Sequence, residues 1–114
     1  MLGARDLSRE LAESPFVTSD LLRDDAVEII VADLRKKKLA IDDVVLACGP
    51  FPRTPFEALR REDLQNTLTV HAIAPLLLVH ALKDDLSRAR GAVVALGDAG
   101  ISRPYENHVA YVTA

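Results

Sequence analysis

Apolar residues along the chain fall into runs of two periods. Val27, Ile30, Val31 and Leu34 recur at i, i+3, i+4 and i+7, so a helix with one apolar face is expected over about residues 22–38. Asp24 and Asp25 at its start and Arg35-Lys36-Lys37-Lys38 at its end match the helix dipole. Asp43-Val44-Val45-Leu46-Ala47-Cys48 and Gly91-Ala92-Val93-Val94-Ala95-Leu96 are instead unbroken apolar runs, which suit strands buried on both faces of a parallel sheet. A shorter run, Pro15-Phe16-Val17-Thr18, reads as another buried strand ending at Ser19-Asp20, and residues about 4–13 as a short helix before it.

Between the later strands, Thr54-Pro55-Phe56-Glu57 has the form of a capping box with proline at the first helical position. A long helical stretch follows from about Glu62 to Arg88. From Val70 to Leu82 it is apolar on nearly every side, so burial in a larger core or against a partner chain is expected, and Pro75 inside it predicts a kink.

Helix, strand, helix, strand, helix, strand is the order of an α/β domain: a Rossmann-like parallel sheet with helices on both faces. Ligands on such sheets bind at the carboxyl ends of the strands. Here those ends carry Ser19-Asp20, Cys48-Gly49 and Gly97-Asp98. No repeat, linker or low-complexity tract divides the 114 residues, so residues 1–114 read as one partial domain.

Composition narrows the partners. The formal net charge is −3 and the single basic run is short, which argues against nucleic acid. One cysteine precludes an internal disulfide and fits a reducing compartment. The longest apolar run, Ala72 to Val79, falls far short of the roughly 20 residues of a membrane span. A soluble, cytoplasmic protein is expected. His71, His80 and His108 lack metal-ligand spacing, so no metal site is expected.

The edge residues carry a resemblance. Leu46-Ala47-Cys48-Gly49 stands where short-chain dehydrogenases/reductases have an Asn-Asn-Ala-Gly-like turn, and His71-Ala72-Ile73-Ala74-Pro75 where they have Asn-x-x-Ala-Pro. Tyr111 follows Asp98 by thirteen positions, the spacing of that family's catalytic serine and tyrosine. Aspartate at the serine position, Phe51 and Thr54-Pro55 after the turn, and Asn107-His108-Val109-Ala110-Tyr111 resemble the pteridine reductase branch, dihydromonapterin reductases included. The resemblance covers about residues 15–114. The family's first strand, its glycine-rich phosphate turn and the lysine after the tyrosine are missing from these residues, so the chain reads as an internal fragment, inactive alone.

The resemblance implies an NADPH-dependent reductase that delivers hydride to a dihydropterin or dihydrofolate. Tyr111 would give a proton. Asp98 would assist through a water, its carboxyl holding its proton higher than usual in a partly desolvated cleft. Phe51 would stack on the pterin, His71 would stand in for the relay asparagine, Asp20 and Leu21 would meet the adenine, and Ala47, Cys48 and Gly49 would line the cofactor. The competing reading of Asp20 is a helix N-cap, of Phe51 a loop residue covering the sheet end, and of Cys48 a small packing residue. Two rival functions are a carbonyl reductase, against which Asp98 argues, and a non-catalytic oligomerising or binding remnant. Homo-oligomers through the Val70–Leu82 helix are implied in either case, and the isolated fragment is expected to be marginally stable.

Overall fold

The structure, a computed structural model, describes residues 14–47, 49–98, 100 and 102–114. The helix expected over residues 4–13, and Cys48, lie outside the described residues. The elements are α1 (Ala26–Lys36), β1 (Val44–Leu46), a 3-10 turn (Phe56–Ala58), α2 (Arg61–Leu68), a π turn (Thr69–Ile73), α3 (Ala74–Ala81), α4 (Lys83–Ala89), β2 (Val93–Ala95) and α5 (Val109–Thr113). β1 and β2 pair in parallel, Val44 with Val93, Val45 with Val94 and Leu46 with Ala95. Helices connect them, so the chain is α/β with a parallel sheet, as its run pattern predicts.

Val44, Leu82 and Leu86 form the core, with Val31 and Leu34 of α1 and Leu78 and Val79 of α3 packed around them. The apolar stripe of α1 therefore faces inward as its spacing requires. Its end is a Schellman motif: the Leu39 N–H donates to the Leu34 carbonyl and the Lys38 N–H to that of Arg35, with Lys38 at φ +54°. The start is later than expected. Asp20 accepts the Leu22 N–H and Asp25 is paired with Arg23, so residues 21–25 form turns before the helix begins at Ala26.

Three burial expectations are overturned. Pro15-Phe16-Val17-Thr18 forms no strand, and Phe16 is 73% exposed. No described strand lies alongside to complete a ladder, and the segment is tied down instead by the Lys37 ammonium on the Phe16 carbonyl. Neither expected buried strand is covered on both faces: β1 is covered on one side and β2 on neither. Val44 is buried, Val45 is 63% exposed, and all three residues of β2 are exposed. The Val70–Leu82 stretch is not buried all round either. Leu78, Val79 and Leu82 face the core, whereas Ile73, Leu76 and Leu77 are exposed.

Just before Pro75 the long helix passes through a π turn. Proline has no N–H for the His71 carbonyl four residues back, and its ring crowds that carbonyl. The chain responds by widening, with the Ala74 N–H reaching back to Thr69 across the π turn.

Two contacts hold the layers in register. Gly91 lies so close to the Asp42 backbone carbonyl that a Cβ there would overlap it. The approach lets the Ala92 N–H donate to the Asp43 carboxylate at 2.7 Å and opens the β1–β2 ladder. On the helical side, the buried Asp85 carboxylate pairs with Arg35 at 2.6 Å and Arg88 at 3.0 Å, joining α4 to α1. Hydrogen bonding to Arg35 holds Asp85 below the usual carboxylate range. A lowered folded-state pKa contributes stability above the unfolded value, about 3.9, and that contribution disappears as pH falls through the lower folded value. Asp85→Asn should therefore melt below the parent at neutral pH, and the gap should close as pH falls below the unfolded value and through the lower folded one. Melting curves across that range check it.

Candidate active site

The parallel register of β1 and β2 puts their carboxyl ends on one edge, the last ladder bond running from the Leu96 N–H to the Leu46 carbonyl. Beyond it Gly49 leaves β1 and Gly97-Asp98 leave β2. Tyr111 reaches this edge from α5.

Asp98 is the centre of the site. The Tyr111 phenol donates to its Oδ2 at 2.6 Å, the Tyr105 phenol to its Oδ1 at 2.9 Å, and the Gly100 N–H to Oδ1 at 2.7 Å. Both of the chain's tyrosines thus converge on one carboxylate. The charged form gains most from these donors, Tyr111 first, so Asp98 lies below the usual carboxylate range. This corrects the expectation that it holds its proton high: the cleft is too open, and too rich in donors, for desolvation to win. The same hydrogen bond, with desolvation added, raises Tyr111 above an ordinary tyrosine, and Tyr105 is raised for the same reason. The resting site is an anion gripped by two protonated phenols.

His71 sits on the π turn beside them. Its Nε2 lies 2.8 Å from the Pro50 carbonyl, which can only accept, so Nε2 carries a proton. The ring meets Tyr111 edge-on at 5.2 Å. Gly49, at φ +149°, lies directly beneath the imidazole. His71, Gly97, Asp98, Gly100 and Tyr111 line a cavity of about 240 Å³.

Phe51 does not line that cavity. Its ring stacks on His108 at 4.0 Å and meets Tyr111 edge-on at 4.6 Å, so it backs the tyrosine within an aromatic cluster. Asp20 and Leu21 stand in the turn before α1, where Asp20 accepts the Leu22 N–H at 3.0 Å; it caps that turn and not the helix itself. Ala47 is exposed just beyond β1. Among the described residues no group of acidic, histidine or cysteine side chains could hold a metal ion. No described helix is long and apolar enough to cross a membrane.

Sequence reasoning missed two participants. Tyr105 carries no spacing signal; only its being the other tyrosine could have drawn notice. Thr54 was assigned to the wrong helix. The 3-10 turn after it has no side-chain cap. The Thr54 hydroxyl instead accepts the Ala110 N–H at 3.0 Å, at the start of α5.

A family model described as Enoyl-(Acyl carrier protein) reductase matches residues 3–114. The chain belongs to that family, within the short-chain dehydrogenases/reductases. No curated protein matches it. Solved structures share the fold. 4-Hydroxyisoleucine dehydrogenase complexed with NADH and succinate has 21% identity and a TM-score of 0.80, over 97% of this chain and 50% of its own. The KRED1-Pglu enzyme has 19% identity and a TM-score of 0.78, over 96% and 48%. A 3-oxoacyl (acyl-carrier-protein) reductase from Agrobacterium tumefaciens C58 with NADP bound has 19% identity and a TM-score of 0.76, over 96% and 44%. The chain spans about half the length of these structures.

Proposed function

We propose that the chain is part of an NADPH-dependent short-chain reductase of pteridine-reductase type, acting on a dihydropterin or dihydrofolate. The observation that carries this reading is the Asp98 carboxylate joined to the Tyr111 phenol at 2.6 Å. A carboxylate only accepts hydrogen bonds. Its two oxygens offer about four lone-pair positions. Three are used by Tyr111, Tyr105 and Gly100, and the fourth suits a ring N–H of a pterin. A keto oxygen would meet lone pair against lone pair there.

The residues present fit one end of a nicotinamide cofactor. The edge is floored by glycines, a Cβ at Gly97 would meet open space, and about 240 Å³ suits a single ring. Drug-sized ligands fill pockets of about 300–1,000 Å³, so a whole dinucleotide needs more surface than this cavity offers. When bound, the cofactor supplies hydride. Tyr111 keeps its proton at the site because Asp98 stabilises the protonated phenol, and Asp98 fixes where that phenol points. His71, donating to Pro50, holds its ring in T-shaped contact with the tyrosine. The exposed Ile73, Leu76 and Leu77 face supports homo-oligomerisation through the long helix.

The test is NADPH oxidation by the native protein, offered a dihydropterin, a dihydrofolate or a 3-oxoacyl thioester. Turnover with the pterins is expected. Turnover with the thioester alone would make the protein a carbonyl reductase, and binding without turnover of any of them would make it a non-catalytic relative.

A further inference from the structure

α5 begins without a cap of its own. His108 occupies the N-cap position and makes no side-chain bond to the first turn; its Nδ1 lies 2.6 Å from the Glu106 carbonyl instead. A helix of five residues gains little from its own hydrogen bonds, so something else must fix it. Thr54 does so from 56 positions away. All three polar groups of Thr54 are committed to the residues just before Tyr111. Its N–H donates to the Asn107 carbonyl at 2.6 Å, its carbonyl accepts the Val109 N–H at 3.2 Å, and its hydroxyl accepts the Ala110 N–H at 3.0 Å. The backbone pair forms a parallel bridge with His108. Thr54 is 6% exposed and Ala110 is fully buried, so water cannot take over these bonds.

We infer that Thr54 is a positioning residue for Tyr111, its hydroxyl serving as the N-cap that α5 lacks and so setting the phenol on Asp98. Ala110 is the second residue of α5, where an N-cap oxygen normally bonds. The next residue is Tyr111. Thr54 also lies three residues after Phe51, whose ring contacts Tyr111, so one short loop controls both the backbone and the ring of the tyrosine. Losing the hydroxyl leaves the Ala110 N–H unpaired and frees the first turn of α5 to rotate. That moves the phenol away from Asp98.

The kinetic consequence rests on the proposed reading that Tyr111 donates the proton; the titration consequence does not. The test compares Thr54→Val, which keeps the shape and removes the hydroxyl, with Thr54→Ser, which keeps the hydroxyl and removes a methyl. Tyrosine ionisation is followed by NMR of isotope-labelled ring carbons, with melting temperature read alongside. In Thr54→Val the Tyr111 titration should fall towards the ordinary value near about 10, while Thr54→Ser should titrate as the parent does. Where the native protein turns over, kcat of Thr54→Val should fall on the order of 10²-fold with KM little changed. Unchanged Tyr111 titration in folded Thr54→Val would overturn the inference. Should Thr54→Val fail to fold, Thr54→Ser decides. Parent-like titration there at lower stability supports the hydroxyl, and a shifted titration overturns it in favour of packing.

Discussion

Tyr111→Phe should lower pterin-dependent NADPH oxidation by a factor of about 10²–10⁴, the usual loss on removing a positioned proton donor. The ring contacts with Phe51 and His71 do not need the hydroxyl, so folding and substrate affinity should survive. The loss should fall equally on kcat and kcat/KM, as expected for an interaction that matters in the transition state. The substitution also removes one of three donors from Asp98, so the Asp98 pKa should rise towards the ordinary carboxylate range. Steady-state kinetics and carboxylate titration of the same variant check both halves. A Tyr111→Phe protein with undiminished turnover would remove the tyrosine from the chemistry.

The second large effect is structural. Gly49→Ala places a methyl group inside the His71 imidazole and puts an alanine at φ +149°. The backbone strain alone costs about 1–3 kcal/mol. Relief requires His71 to swing away, breaking its bond to the Pro50 carbonyl and withdrawing its edge from Tyr111. Gly49→Ala should therefore lower stability and disturb the tyrosine titration together. Adding His71→Ala empties the space. The double variant should recover the steric part and keep only the φ cost, a non-additivity that a double-mutant cycle measures directly. Additive effects would mean that Gly49 and His71 do not meet.

Local chemistry was legible where the answer lay within a few residues. The Val27–Val31–Leu34 stripe and the β1 and β2 runs follow from periodicity. Burial was less legible, because a run such as Val93-Val94-Ala95 reports that a strand is apolar and not which layers cover it. Pro15-Phe16-Val17-Thr18 failed for a related reason: a strand requires a neighbour, which its own residues do not encode. At the site, the meeting of Asp98 with Tyr111 was anticipated from spacing and resemblance. The direction of the Asp98 pKa was not, since it depends on whether donors or desolvation prevail, and Tyr105 and Gly100 supply the donors. The capping box expected at Thr54 does not form; its hydroxyl accepts an N–H 56 residues downstream, and no short window could pair them.

The central claim is that the carboxylate at position 98 selects a ring-nitrogen substrate over a carbonyl. The most direct measurement is the ratio of kcat/KM for a dihydropterin to that for a 3-oxoacyl thioester, in the native protein and in Asp98→Ser. Serine replaces an acceptor-only anion with a neutral hydroxyl that can donate to a carbonyl. The ratio should fall by at least about tenfold, roughly 1.4 kcal/mol of discrimination, through loss of the pterin reaction and gain of the carbonyl one. A ratio unchanged by Asp98→Ser would contradict it.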